Sequence, residues 1–265
     1  MELVAYDLLK RYGDKVAVDG VSLTARPGVV ALLGPNGSGK TTRLRMLATV
    51  SRPDRGEIRF GGRCYAADPR PVRRVLGYLP QQLDLPDHMT PLGLLRYMAS
   101  LKGVDADPSL LDTLGLPADK PIAGLSGGQV RRVGIAQALL GTPRLRDRVL
   151  QLVNQPGSGR VVVLSSHMPG EVEAIARQVI VLKTGRAVYA GDVAGLCDRA
   201  KGRVDEVVVP AAQVQSCLES WLVSRVTHRG DEATLRTLGA APPDAIPVPP
   251  TLEDAYLMLQ QSATA

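Results

Sequence analysis

The residues with an evident chemistry are Gly34, Pro35, Asn36, Gly37, Ser38, Gly39, Lys40, Thr41 and Thr42, in that order. They follow an apolar run at 29–33 and precede Arg43, Leu44, Met46 and Leu47, which read as the opening of a helix. This is the pattern G-x-x-x-x-G-K-[ST] between a strand and a helix, a phosphate-binding P-loop. Gly37 and Gly39 let backbone N–H groups curl around phosphate oxygens, with the positive end of the helix behind them. Lys40 is placed to reach β- and γ-phosphates, and Thr41 to offer a hydroxyl to Mg²⁺. The alternative is an ordinary Gly-rich turn, against which the complete pattern argues. The stretch implies a bound nucleoside triphosphate.

Four other positions have chemistry that depends on their neighbours. Tyr12, just before Gly13 and upstream of the P-loop, is a candidate platform on which a nucleotide base stacks; alone, it is an exposed turn residue. Pro80, Gln81 and Gln82 end an apolar run, VLGYL at 75–79. A Gln at a strand end holds Mg²⁺ or the attacking water, or is simply a polar loop residue. LSGGQ at 125–129 puts Ser126 and Gln129 in a capping box, S-x-x-Q, with Gly127 and Gly128 between them. The bare N–H groups of that helix start make either a second anion site or only a well-capped helix. His167 follows VVVLSS at 161–166, beyond the carboxyl end of a strand, where α/β proteins bind ligands.

The elements that carry these residues follow from periodicity and punctuation. Residues 2–8 and 21–25 read as two short strands flanking a connector, and 56–62 as another. Between 84 and 140 the pattern becomes helical, with Thr90-Pro91 a good helix start and Leu94, Leu95, Met98 and Leu101 at helical spacing. Residues 178–192 read as a β-hairpin around Thr184 and Gly185. From about Val204 come a strand, a helix over 211–223, two short strands around Gly230, a Pro-rich link and a capped final helix, together a small βαββ-type lobe. No internal repeat or low-complexity segment interrupts this order.

Composition narrows the function classes. A chain of 265 residues with 45% hydrophobic content supports one large domain or one domain with a small appendage. No apolar run reaches the roughly 18 residues of a membrane span, and the N-terminus has no signal-peptide core, so transport would need a pore from another polypeptide. Cys64, Cys197 and Cys217 are odd in number and outside any CxxC pattern, which predicts free thiols and no zinc site. The net charge of +6 permits contact with nucleic acid or anionic lipid without requiring it. Arg70, Arg73 and Arg74 form its densest local cluster and read as a solvated face. Aromatic residues, at 3%, are too few for a base-stacking surface, and no nucleic-acid partner is expected.

In this order Tyr12, GPNGSGKTT, LGYLPQ, LSGGQ and SSH resemble the nucleotide-binding subunit of an ATP-binding cassette (ABC) transporter, over about residues 2–200. The tail resembles the C-terminal lobe of exporter-type subunits. The resemblance implies a P-loop α/β core with a parallel sheet, an N-terminal antiparallel β-subdomain, a helical subdomain near 84–140 that receives a permease, and a small α+β lobe. The expected boundaries are 1–202 and 203–265. It also implies that ATP and Mg²⁺ are bound by residues 34–42, with Tyr12 on the adenine, Thr41 and Gln81 on the metal, and His167 as the switch histidine. Ser126, Gly127, Gly128 and Gln129 would cap ATP in trans in a dimer. The implied partners are a membrane-spanning subunit and a second nucleotide-binding subunit, at the cytoplasmic face of the membrane.

The chain departs from the family in one place. The family has an apolar strand ending Asp-Glu, then an S-G-L-D-like loop, between the signature helix and the switch histidine. Here no acidic pair follows an apolar run in 141–167, and Asp147 sits between two arginines. The gap falls near 145–146, and the missing strand would be interior to the sheet. A native-like core then needs the sheet to close up, or 146–153 to serve as a replacement strand. Losing both carboxylates would cost turnover several powers of ten and binding much less. The other readings are a hydrolysis-deficient regulatory half-partner, a non-functional deleted form and, more weakly, a nucleic-acid-associated ABC protein.

Overall fold

The computed structural model describes residues 2–65, 68–140 and 160–262. Its centre is a strand buried on both faces, β3 (Gly28–Leu33), in which every residue from Val29 to Leu33 is at most 1% exposed. Alternation splits this run between two cores. Val29, Ala31 and Leu33 face one apolar cluster, and Val30 and Leu32 face another. The strand pairs in parallel with β6 (Val161–Ser166) and β7 (Gln178–Lys183), and β7 continues antiparallel into β8 (Arg186–Asp192). The sheet order is β6-β3-β7-β8. Register places Leu33 opposite both Ser166 and Val181, so Gly34 leaves the sheet beside His167.

Against one face lies an antiparallel sheet of order β2-β1-β4-β5, formed by β1 (Leu3–Tyr12), β2 (Lys15–Ala25), β4 (Arg55–Phe60) and β5 (Arg63–Cys64). The expected short strands at 2–8 and 21–25 are corrected here to one long hairpin turning at Gly13-Asp14. Gly-Asp between two strands is a two-residue hairpin loop, and Gly13 takes φ +56°. Register shifts along β1 interrupted the alternation that would have marked the full length.

Helix α1 (Lys40–Leu47) follows β3, and α2 (Arg70–Val75) precedes the Gln81 loop. The apolar run at 75–79 is therefore not a strand end. Val75 closes α2, and Gly77 passes so close to α5 (Gly127–Leu139) that a Cβ there would lie 1.8 Å from the Ala138 carbonyl oxygen. Between them come α3 (Pro91–Lys102) and α4 (Ser109–Thr113), which with α5 enclose a separate core around Leu95, Leu111 and Ala136. Thr90 caps α3 by accepting from the Gly93 N–H at 3.1 Å.

Past β6 the chain forms α6 (Pro169–Glu173), the β7–β8 hairpin turning at Thr184-Gly185, and α7 (Val193–Asp198). A third sheet, of order β10-β11-β9-β12, holds β9 (Val204–Pro210), β10 (Leu222–Arg229), β11 (Glu232–Leu238) and β12 (Ile246–Pro247). The helix expected over 211–223 is shorter: α8 spans Val214–Ser220, and Leu222 and Val223 join the ladder opposite Leu238 and Thr237. Ladder pairing outweighs the modest helix preference of those two residues. The final helix, α9 (Leu252–Ser262), sends Leu252, Ala255, Tyr256 and Met258 into the same cluster as Val29, Ala31 and Leu33. The three cysteines are free thiols.

Asp147, the expected gap near 145–146 and the replacement strand at 146–153 lie outside the described residues.

Candidate functional site

The P-loop is shaped by contacts on its protein side. Gly39 takes φ +91° immediately before α1, and a Cβ there would fall 2.3 Å from the Ala17 carbonyl oxygen. Only glycine fits both constraints. Gly34 is equally confined, since a Cβ would meet the Leu182 carbonyl oxygen and Ser38 Oγ at 2.6 Å each. Gly37, at φ +81°, has open space where its Cβ would be, on the side a ligand would approach. The amides of Lys40, Thr41 and Thr42 belong to the first turn of α1, which has no intrahelical acceptor for them. The Arg43 amide is the first to close on the helix, at Gly39 O, 3.0 Å.

Lys40 bends back over the loop, donating Nζ to the carbonyls of Gly34 at 2.5 Å and Pro35 at 2.9 Å. Partial burial lowers the pKa of its ammonium. Ser38 is 2% exposed and its Oγ has no hydrogen-bond partner. Arg43 is fully buried, donating Nη1 to Ser38 O at 3.1 Å and Nη2 to Gly185 O at 2.7 Å, with Nε unpartnered. Burial pulls its guanidinium down to about 10, still well above neutral pH. Sequence reading passed over this residue as ordinary helix; no motif marks it, and only its burial singles it out.

A cleft of about 920 Å³ opens above the loop. It brings together Tyr12, Asn36, Gly37, Gly39, Lys40, Thr41, Thr42, Gln81 and His167, from four separate parts of the chain. Gly34, Pro35 and Ser38 stand behind it, the first two as acceptors for Lys40. Tyr12 is 49% exposed at the end of β1, with the Lys10 ammonium 5.7 Å from its ring centre. Gln81 is held from the helical region: Arg131 of α5 donates to Pro80 O at 3.1 Å and Gln81 O at 3.0 Å. Arg131, another residue without a motif, thus ties the Gln81 loop to the helix that begins at Ser126.

His167 is exposed beside Ser166, whose Oγ pairs with Glu171 Oε2 at 3.0 Å. Glu171 is the one carboxylate among the described residues that line the cleft. It too was missed, because nothing in its local sequence separates it from a surface helix residue.

Ser126, Gly127, Gly128 and Gln129 stand apart from this cleft. The capping box forms as its sequence predicts, with Ser126 Oγ accepting from the Gln129 N–H at 3.3 Å and Gln129 Oε1 from the Ser126 N–H at 2.9 Å. Ser126, Gly127 and Gly128 are exposed, and a Cβ at either glycine would meet nothing within 4 Å. The helix start is thus open to an approaching surface.

The arrangement fits a nucleotide on observations of its own: a loop closed to side chains behind and open in front, first-turn amides, a cation over the loop and an aromatic ring at the rim. For a divalent cation the cleft offers Thr41 and Gln81 oxygens, and no group of three His, Cys, Asp or Glu residues is present among the described residues. Phosphate oxygens and water would have to complete the coordination.

Comparison with known proteins gives the same assignment. A family model described as ABC transporter matches residues 18–146. An uncharacterized ABC transporter ATP-binding protein, YxlF of Bacillus subtilis, is 32% identical over 238 aligned residues, covering 81% of this chain and 77% of that protein. The Nod factor export ATP-binding protein I of a Rhizobium species is 30% identical, covering 98% of each. A solved ATP-binding subunit of an ABC transporter superposes with a TM-score of 0.67 at 25% identity, over 75% of this chain and 93% of that one. The dimeric bacterial ABC transporter cassette MJ0796 superposes with a TM-score of 0.63 at 24% identity, over 72% of this chain and 98% of that one, and shows the shared fold. With the phosphate loop, the glutamine loop and the histidine in one cleft, and relatives matched along most of their own length, this chain belongs to the ATP-binding subunits of ABC transporters.

Proposed function

We propose that this chain binds Mg-ATP in the cleft above residues 34–42 and couples it to export through a separate membrane-spanning subunit. The observation that carries this reading is the convergence of Tyr12, Lys40, Thr41, Gln81 and His167 on one cleft. Tyr12 stacks the adenine; the loop amides and Lys40 hold the phosphates; Thr41 and Gln81 hold Mg²⁺, which when bound draws charge off the β- and γ-phosphates. His167 and Gln81 serve the γ-phosphate end. The exposed helix start at Ser126, Gly127, Gly128 and Gln129 faces a second nucleotide-binding subunit, whose nucleotide it caps. No helix among the described residues is long and apolar enough to cross a membrane; the pore is supplied by a partner, with this chain at the cytoplasmic face. The export role rests on the Nod factor relative. Residues 203–265 are read as an accessory lobe whose last helix is anchored on the nucleotide-binding core at 1–202.

Turnover by the isolated chain is expected to be negligible. Residues 141–167 hold no acidic pair after an apolar run, and the cleft's described carboxylate, Glu171, is occupied by Ser166. Titration calorimetry with Mg-ATP tests the binding claim: Lys40→Ala should weaken affinity at least about tenfold, by loss of a charge-assisted contact. Equal affinities would remove the claim. Turnover at a rate like that of other family members, abolished by His167→Ala, would show instead that the acidic pair is dispensable or supplied elsewhere.

A further inference from the structure

The P-loop's own cation, Lys40, is not the deepest one in the region. Arg43 is fully buried one turn further along α1, and its hydrogen-bond partners among the described residues are two backbone carbonyls and no carboxylate. An unpaired buried guanidinium costs a fold stability unless something compensates its charge. We propose that Arg43 is a positioning residue for the polyphosphate, aiming a loop amide at it and supplying a positive charge that no carboxylate among the described residues balances and the bound anion does. This rests on the reading of residues 34–42 as the nucleotide site.

Two features of the geometry support it. Nη1 holds the Ser38 carbonyl inward at 3.1 Å. In a planar trans peptide the N–H points opposite to the C=O, so pinning the Ser38 carbonyl into the core turns the Gly39 N–H outward, toward the cleft. Nη2 meanwhile donates to Gly185 O, which also accepts from the Asp19 N–H at 2.9 Å. One guanidinium therefore fixes the phosphate loop against the β7–β8 turn and, through it, against β2 of the hairpin that carries Tyr12. The fork of donors explains why arginine serves here: a lysine would offer a single point of attachment. The charge is screened little by solvent at such a depth, so its effect on an anion one residue away grows with the anion's charge.

That dependence separates positioning from scaffolding. Affinities of the full chain for ATP, ADP and AMP are measured by calorimetry for wild type, Arg43→Met, Arg43→Gln, Arg43→Lys and Lys40→Ala. Removing the charge in Arg43→Met should weaken ATP by about tenfold or more, ADP by about threefold, and AMP by less than about twofold. Arg43→Lys, which keeps the charge but not the fork, should recover part of the ATP affinity. Should Arg43→Met fail to fold, Arg43→Gln, which keeps a donor for Ser38 O, reads the same order. Equal weakening of all three nucleotides, or no weakening, in an Arg43 variant while Lys40→Ala is impaired would overturn the proposal and leave the nucleotide site standing. A wild-type chain with no ATP affinity would remove both.

Discussion

Arg236 in β11, 9% exposed, meets Asp254 and Glu206 at 2.9 Å each and donates also to the Pro249 carbonyl. Arg43 behind the P-loop, fully buried, meets two backbone carbonyls and, among the described residues, no carboxylate. The first guanidinium is closed electrostatically. Asp254 is itself 1% exposed and accepts from Ser224 and from Thr251, whose cap on α9 it completes. This cluster joins β11, the 249–251 link and the last helix. The second guanidinium is open among the described residues, and on the inference drawn above its balancing charge comes from a ligand.

The comparison makes predictions of decreasing size. Breaking the closed cluster should cost most: Asp254→Ala leaves Arg236 buried with half its charge partners gone, and chemical denaturation should show a loss of about 3–5 kcal/mol. ATP affinity should be unchanged, because no residue of the cluster lines the cleft. A loss below about 1 kcal/mol would mean that Arg236 is no more closed than Arg43. Arg43→Met should cost less, about 1–2 kcal/mol, because the lost hydrogen bonds to Ser38 O and Gly185 O are partly offset by removing a charge that burial disfavours. A loss as large as that of Asp254→Ala would make Arg43 structural first. Ser126→Ala sets the scale for an exposed, fully satisfied polar pair. It should lower stability by about 1 kcal/mol, read from the denaturation midpoint, with the intrinsic ATP site intact.

The last prediction is a pH profile. Burial pushes the Asp254 carboxyl up, but hydrogen bonds from Arg236, Ser224 and Thr251 outweigh it, and the net pKa is lowered below its ordinary 3.8. A depressed carboxylate contributes stability in full above its unfolded value, and the contribution is lost as pH falls through the lower folded value. Wild type should therefore lose stability below about pH 4 more steeply than Asp254→Asn, measured as the denaturant midpoint from pH 6 to pH 2. Parallel profiles would show that the cluster does not hold the proton off Asp254. Arg43, which titrates near 10 and so stays fully protonated across this window, should contribute nothing to this slope.

Local features of the fold were legible because local interactions decide them. The strand at 29–33, the P-loop, the Thr90 and Ser126 caps and the hairpin at Thr184-Gly185 are each set by residues within a few positions of one another. The misreadings came where distant partners intervene. The 75–79 run looked like a strand end, but close packing of Gly77 on α5 takes it out of any ladder among the described residues. Leu222 and Val223 looked helical until β11 lay beside them.

By itself, the sequence determined which groups could bind a phosphate, a base and a metal, since residue type and short-range spacing are enough to specify a glycine loop, a capping box or a terminal histidine. Only the tertiary structure decided which of them share a site. The parallel register of β3 and β6 carries His167 to the loop, Arg131 brings Gln81 to the same cleft, and Ser126 with its glycines is left facing outward. It also decided that Arg43 is buried with no carboxylate partner among the described residues. A charge's environment depends on every element packed around it, and no spacing along the chain records that.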